Sequence, residues 1–402
     1  MNFILGLEVL SENREALRKL KRSSVGLVAH PASVSSRCEH SIDLLMNKGA
    51  NITRAFGPQH GMRGDKQDNM IESDDYFDQV HGINVFSLYG RHRFPSDEML
   101  DGIDIVLFDL QDIGCRIYTY ITTLFYFIQA CEKQGVELWV LDRPNPAGRP
   151  IDGTFLQKGN ESFVGCAPLP TRHGLTIGEL SVCFAKWLNS DVSMKVIEML
   201  EYRPNQAPGL GWPIQSLPWV NPSPNAATLN MARCFSGTVL LEGTNLSEGR
   251  GTSRPLEVLG APDLPVLDMI SLMREEAGHW LRGAELRPCF FSPTSNKHQD
   301  KLCAGIQIHT DVKTYEHNIF KPYRLISGLL KSYRKLLPEA EIWRYHEYEY
   351  EKDRVPIDVI DGSEQLRNWV DNPNEAFDEL AKTLDEHEKI WSEQRKEFFL
   401  YE

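Results

Sequence analysis

Short unbroken apolar runs, each closing on a cluster of polar residues, recur through the first half of the chain. Val25 to Ala29 (VGLVA) stops at His30-Pro31, and Ile52 to Phe56 stops at Gly57-Pro58-Gln59-His60-Gly61. Val85 to Leu88 precedes Tyr89-Gly90, and Val136 to Leu141 (VELWVL) closes on Asp142-Arg143-Pro144-Asn145-Pro146. The run Ile103 to Leu110 is apolar through Phe108 except for Asp104, and leads into Asp109, Gln111, Asp112, Arg116 and Tyr118 around Gly114. Runs of this kind are strands buried on both faces, as in parallel sheets covered by helices. Helical spacing fills the gaps at Cys38 to Lys48, Tyr118 to Gln134 and Thr176 to Asn189, the last opened by the capping box Thr176-x-x-Glu179. Val239 to Leu241 reads as a further strand feeding Glu242 to Gly251. The pattern predicts a doubly wound, mainly parallel, Rossmann-like α/β domain over residues 1–255.

From about Glu257 the texture changes. Cys303 to His309 alternates as a half-exposed strand does, and helical patterns follow at Tyr323 to Leu336, Gly362 to Trp369 and Asn374 to Phe398. This predicts a second, smaller α+β C-terminal domain over residues 256–402. The proline-rich stretch Gln206 to Pro224 reads as a structured crossing loop, because Trp212, Leu217 and Trp219 require burial.

Composition narrows the function. A formal charge of −13 over 402 residues argues against a nucleic-acid surface. The N-terminal stretch has no basic region, and Glu8 interrupts its apolar residues, so it reads as neither signal peptide nor membrane anchor. The eight cysteines show no CxxC pair or metal-ligand spacing and read as reduced structural thiols, which predicts a cytoplasmic protein. No coiled-coil or apolar stripe specifies an oligomer.

Four strand ends share one rim of a parallel sheet, where open α/β sheets bind ligands. They carry Gln59, His60 and Arg63; Asp109 to Tyr120; Asp142, Arg143 and Asn145; and Glu242 to Arg250. No GxGxxG, P-loop, HExxH or GxSxG motif is present, so neither cofactor nor metal is expected. Acids, arginines and amides together suit a hydroxyl-rich, anionic small molecule: arginine matches a carboxylate with paired donors, and Asn and Asp match hydroxyls. On this reading the catalytic candidates are Gln59, His60, Asp109, Asp112, Tyr118, Glu242 and Glu248. The substrate-binding candidates are Arg63, Arg116, Arg143, Asn145, Arg172, His173, Asn225, Asn245 and Arg250. Plainer readings stand beside them: Asp112 and Arg116 as a structural ion pair, Trp212 and Trp219 as core.

The stretches VGLVAHPASV, FGPQHGMRGD, SLYG, FPSDEML, IDIVLFDLQDIGCRIYTYITT and LDRPNPAGRPIDG occur in that order. PTRHGLTIGEL, WVNPSPNAATL, GTVLLEGTNLSEGRGTSRPLEVLGAP and YEYEKDRVPIDVIDG follow. In these, from about residue 24 to the C-terminus, the chain resembles the bacterial exo-β-N-acetylmuramidase family. The resemblance implies a Rossmann-like domain, a smaller C-terminal domain and a cleft between them. It also implies removal of N-acetylmuramic acid from the non-reducing end of peptidoglycan fragments, in cell-wall turnover. Muramic acid carries a lactyl carboxylate, which an arginine-bearing cleft would match.

One position departs from the family. Its usual Pro-Glu-His-Gly, whose glutamate is a leading catalytic candidate, is here Pro58-Gln59-His60-Gly61. An amide neither donates a proton as an acid nor accepts one as a base. Three explanations compete: another carboxylate among Glu242, Glu248, Asp109 and Asp112 carries the proton; the chain binds muramyl sugars without cleaving them; or the substrate has a leaving group that needs no acid.

Overall fold

The computed structural model describes residues 3–64, 66 and 70–402. Asp65, the last residue of FGPQHGMRGD, lies outside them. Strands β1 (Val25–Ala29), β2 (Ile52–Gly57), β3 (Tyr76–Asp78), β4 (Ile83–Ser87), β5 (Ile105–Asp109), β6 (Glu137–Leu141), β7 (Asp152–Phe155), β8 (Pro170–Arg172) and β9 (Met194–Ile197) come first. All but β7 and β8 join a seven-stranded sheet in the order β3-β4-β2-β1-β5-β6-β9, parallel except for β3 at one edge. Counted along the chain, the parallel strands follow the 3-2-1-4-5-6 order of dinucleotide-binding folds, with the switch point between β1 and β5. These two strands run in register from Val25↔Ile105 to Ala29↔Asp109, so their carboxyl ends are level.

Alternate side chains of each strand enter different cores, as the two-residue period requires. Leu27, Ala29, Ile105 and Leu107 meet Leu7, Leu10 and Leu20 from the helices Gly6–Glu12 and Arg14–Arg22, and Ile42 and Leu45 from Ser41–Asn47. Val28, Val106 and Phe108 face the helices Tyr120–Gln134 and Ile177–Leu188. This second core continues without a break into the C-terminal half, through Met231, Met269, Ile306 and Leu329. The predicted capping box is formed: the Thr176 hydroxyl accepts from the Glu179 amide at 3.2 Å, and the Glu179 carboxylate accepts from the Thr176 amide at 2.9 Å.

The C-terminal half holds a separate antiparallel sheet, β10 (Val258–Ala261), β11 (Glu285–Phe291) and β12 (Cys303–His309), in the order β10-β12-β11. Helices Val266–Ala277 and Pro322–Leu336 pack against one another beside it, as expected for an α+β unit. The backbone of Pro322 touches the helix Leu229–Thr238 at Gly237, where a Cβ would lie 2.0 Å from the Pro322 carbonyl oxygen. The last helix, Phe377–Gln394, returns to the first half. Trp391 donates to the His173 carbonyl, Arg149 donates to the Tyr401 carbonyl, and the Tyr401 hydroxyl donates to Asp142, each at 2.7 Å.

Two expectations are corrected. Val239 to Leu241 is not a strand: it continues the helix Leu229–Thr238 as a 3-10 turn, Val239–Gly243. A short apolar run buried on all sides carries no period to separate helix from strand, and here the core surrounds it. Hairpin pairing, absent from the sequence reading, also occurs, in β3–β4 at the sheet edge and in the small β7–β8 pair.

The switch point is closed off. His30, just after β1, accepts from the Gln111 amide through Nε2 at 2.9 Å, and its Nδ1–H donates to the Pro222 carbonyl at 3.0 Å. Tyr120 donates to the same carbonyl at 2.6 Å, and the Ser33 hydroxyl bonds the Asp109 carbonyl. The crevice between β1 and β5 is therefore tied to the 206–224 crossing segment, and the open cavity lies beside it, above β2 and β5.

Candidate active site

This cavity, which with its open mouth takes in about 460 Å³, is lined at its polar end by Gln59, His60, Thr119, Glu242, Arg250 and Glu349, and on its apolar side by Met231, Phe235 and Leu256. Gln59 follows β2, at the start of a turn in which His60 has φ 70° and Gly61 φ 75°. Its carbonyl accepts from the Thr119 hydroxyl at 2.8 Å, and its amide nitrogen donates to Glu349 at 3.0 Å. The second oxygen of Glu349 accepts from the Tyr89 hydroxyl at 2.8 Å. Three strand-end loops, after β2, β4 and β5, thus converge on one carboxyl group supplied by the C-terminal half.

Glu349 is brought there by a tight turn. Tyr348 and Glu351 exchange both backbone hydrogen bonds, at 3.0 and 2.9 Å, and the residues between them have φ 46° (Glu349) and φ 71° (Tyr350). Two consecutive positive φ values make the type I′ pattern, which usually takes Asn-Gly. Placing Glu and Tyr there costs on the order of 1 kcal/mol at each residue, and packing holds the turn: Arg93 stacks on the Tyr350 ring at 3.8 Å. Burial pushes the Glu349 carboxyl up to about 7, aided by the nearby negative charge of Glu242 and opposed by the Tyr89 and Gln59 hydrogen bonds and by Arg250.

The neighbouring residue, Tyr348, serves the other carboxylate. Its hydroxyl donates to Glu242 at 2.7 Å, whose second oxygen accepts from Arg250 at 2.6 Å. Arg250 also donates through Nε to Glu248 at 3.1 Å, and Glu248 pairs with Lys297 at 2.6 Å. Lys297 is pinned as well by the carbonyls of Leu241 and Leu246, both at 2.7 Å. This buried chain of alternating charges fixes the loop that carries Glu242. Despite the opposing effect of burial, Lys297 and Arg250 hold Glu248 below the usual carboxylate range, and Glu242 and Glu248 hold Arg250 above its own. His60 is pushed down by burial, with Arg250 contributing, so its ring is neutral near pH 7; Nδ1–H donates to the Lys66 carbonyl at 2.9 Å. The two carboxyl groups in the cavity are therefore in opposite settings, Glu242 ion-paired and Glu349 held by neutral donors.

Beyond Asn225 and Arg250 the cavity opens into a wider polar groove walled by Thr252, Ser253, Phe291 and Thr294. No group of three or more His, Cys, Asp or Glu side chains able to hold a metal occurs among the described residues. No helix among them is long and apolar enough to cross a membrane.

Residues 25–230 match the family description "Exo-beta-N-acetylmuramidase NamZ, N-terminal", and residues 233–401 match its C-terminal counterpart. The chain belongs to the exo-β-N-acetylmuramidase family. It is a glycosidase. Among its relatives is the "Peptidoglycan beta-N-acetylmuramidase NamZ" of Bacillus subtilis (strain 168), 34% identical over 386 residues, which are 96% of this chain and 88% of that protein. A crystal structure of a DUF1343 family protein from Bacteroides fragilis NCTC 9343 superposes with a TM-score of 0.85 at 26% identity, covering 100% of this chain and 99% of that one. A second from the same organism, at 24% identity and a TM-score of 0.74 over the same shares, has the same fold.

Against this family frame, the residues singled out in the sequence fall into two groups. The structure brings Gln59, His60, Tyr118, Asn225, Glu242 and Arg250 together around the cavity, with Glu248 behind Arg250. The others lie elsewhere, most of them bonded within the fold. Asp109 and Arg143 form a buried two-pronged pair at 2.6 and 2.9 Å. Asp112 accepts from the Gly114 amide at 2.6 Å and lies 3.6 Å from His173. It is not paired with Arg116, whose guanidinium donates instead to the carbonyls of Ile360 and Asp361 at 3.1 and 2.7 Å. Arg172 bonds the carbonyls of Ala147 and Phe320, and Asn145 those of Gly148 and Leu175. Asn245 donates to the Glu341 carbonyl at 2.8 Å, and Arg63 stacks on Tyr76 at 4.3 Å. Trp212 and Trp219 pack on each other at 5.0 Å in a small core. Thr119, Tyr348 and Glu349, which line the cavity, and Tyr89, which bonds Glu349, are not among the residues singled out. For Tyr348 and Glu349 the signal is the alternation Tyr348-Glu349-Tyr350-Glu351, which as a half-exposed strand would send both glutamates to solvent; the turn sends Glu349 inward instead.

Proposed function

We propose that this glycosidase releases N-acetylmuramic acid from the non-reducing end of peptidoglycan fragments. The observation that carries the reading is the shape of the site: a small cavity with two carboxyl groups, opening at one side into a polar groove. A cavity closed at its polar end and open at one side suits a terminal sugar ring, with the groove left for the leaving-group side of the chain, the arrangement an exo-acting enzyme requires. Arg250 stands at the junction. Its Nε and Nη2 are committed to Glu248 and Glu242, while its Nη1 makes no hydrogen bond among the described residues, leaving a donor for the lactyl carboxylate.

The second reading, a muramyl-sugar-binding protein without catalysis, rests on Gln59 alone. The cavity disfavours it, because Glu349 supplies a carboxyl group 3.0 Å from the Gln59 amide. The eight cysteines are all free thiols, which supports a place for the protein in a reducing compartment, where it would act on recycled fragments. The test is hydrolysis of a chromogenic β-glycoside of N-acetylmuramic acid beside that of N-acetylglucosamine, with the products of a longer fragment separated by mass. Release from the muramic compound alone, and of monosaccharide alone from the fragment, is expected. Equal rates on both glycosides, or binding of muramic acid without release, would overturn the reading.

A further inference from the structure

We infer that Glu349 is the general acid of this site, and that Gln59 positions it. The inference deepens the proposed muramidase reading and rests on it. Of the two carboxyl groups that the described residues bring to the cavity, Glu242 is paired with Arg250 at 2.6 Å, and a proton on it would give up that pairing. Among the described residues Glu349 touches no cation: its oxygens meet the Gln59 amide and the Tyr89 hydroxyl. The geometry thus gives one carboxyl a guanidinium partner and the other neutral donors, the setting in which a carboxyl can serve as an acid.

The partners of Glu349 also suit a group that gains and loses a proton. An amide offers N–H to a carboxylate and, turned over, C=O to a carboxylic acid. The Thr119 hydroxyl, on the far side of Gln59, can donate or accept in step, and so can Tyr89. Either state of Glu349 is then fully hydrogen-bonded inside a buried site. A glutamate at position 59 would not allow this. Two carboxyls at 3.0 Å share one proton and titrate as a pair.

In the step assigned to it, the bond from C1 to the glycosidic oxygen breaks with its electron pair going to oxygen. That oxygen takes the proton of Glu349 and departs as an alcohol. Water adds its oxygen to C1, and the proton it sheds balances the one Glu349 lost. Glu349 also lines a second, solvent-open pocket with Arg93, Tyr126, Glu161 and Tyr350, a route by which it regains a proton. Among the described residues, the charged and titratable groups facing it are Tyr89, bonded to it, Tyr348, Glu242 and Arg250 within the cavity, His60 across it, and Arg93, Tyr126, Glu161, Cys166, Tyr350 and Glu351 on the outer side.

The test compares wild type, Glu349→Gln and Gln59→Glu on a muramic-acid disaccharide and on the 4-nitrophenyl glycoside, across pH. Glu349→Gln preserves shape and can keep both contacts, its oxygen accepting from Gln59 and its NH₂ donating to the Tyr89 hydroxyl. It is expected to lower kcat/KM on the disaccharide by roughly 10²- to 10⁴-fold, the usual worth of a general acid. Its loss on the nitrophenyl compound, whose leaving group needs little protonation, should be far smaller, and the alkaline limb of the rate profile should vanish. Gln59→Glu should lower kcat/KM at the wild-type optimum and move that limb to higher pH, since the pair holds its last proton longer; a merely structural role for Gln59 would leave the limb in place. A Glu349→Gln enzyme within tenfold of wild type on the disaccharide, with the limb unchanged, would sink the acid assignment while leaving the muramidase reading intact. A wild type that cleaves neither compound would instead remove the reading itself.

Discussion

Burying a carboxyl group among neutral donors carries a stability cost that pH can expose. An unfolded chain ionises glutamate near 4.5, whereas the folded site holds Glu349 near 7. Ionisation therefore favours the unfolded chain once pH exceeds about 4.5, and the cost to the fold rises with pH until it levels off above 7. The gap between the two values corresponds to about 3 kcal/mol at the plateau and about 1 kcal/mol at pH 5. Glu349→Gln removes the ionisation while an amide can still meet Tyr89 and Gln59. The variant should thus be more stable than wild type, by an amount that grows with pH. Unfolding entropy near 2.1 cal/mol/K per residue gives about 0.8 kcal/mol/K for a chain of 402 residues, so the gain in Tm is about 1 °C at pH 5 and about 4 °C at pH 8.5. Scanning calorimetry of both proteins at several pH values reads this directly. Groups common to both, Asp142 included, cancel in the difference. A Tm difference that stays flat with pH, or that shrinks as pH rises, would refute the reasoning, because only an elevated folded pKa gives the upward slope.

Other residues make separable predictions. Arg250→Met leaves Glu242 and Glu248 buried with Lys297 as their remaining cation; a loss of about 3–5 kcal/mol in denaturant unfolding is expected, together with loss of hydrolysis, and native stability in this variant would show that the charge chain is dispensable. Arg116→Lys weakens the bonds to the Ile360 and Asp361 carbonyls and should cost about 1–3 kcal/mol without changing KM; a higher KM at unchanged Tm would put Arg116 on the substrate instead. Tyr401→Phe removes a donor from Asp142, which burial already pushes up to about 7. Losing it raises Asp142 further, so the destabilisation should be larger at pH 8.5 than at pH 5, and an equal Tm loss at both would contradict this assignment.

The fold was legible where one period dominated. The runs VGLVA and IVLFD are buried along their whole length and became adjacent central strands, and Thr176-x-x-Glu179 marked a helix start to the residue. Val239 to Leu241 was not legible, because a wholly buried helical turn and a buried strand look alike over so few residues. In the site, the loop after β2 and the Glu242–Arg250 loop were visible from polar residues massed after apolar ones. That same signal also selected Asp109, Arg143 and Arg116, which bind each other or the backbone: a strand-end rim holds the fold's own polar joints as well as a ligand's. Glu349 escaped because its placement depends on two strained φ values and on a contact with Gln59 across 290 positions of sequence, neither of which local spacing encodes.

The closed switch point has a practical consequence. His30 is wholly buried, desolvation pushes its ring well below the usual imidazole range, and its proton is fixed on Nδ1 by the Pro222 carbonyl. Pro222 adjoins Ser223, which lines the sugar cavity, with Asn225 close behind. A sugar settling against that segment would change the length of the His30–Pro222 bond. The ring proton of His30, shielded from exchange, should give a downfield NMR resonance that reports occupancy without a label on the ligand or a turnover event. The crevice that related sheet topologies give to a dinucleotide would become, in this chain, a gauge on the back wall of the proposed sugar site.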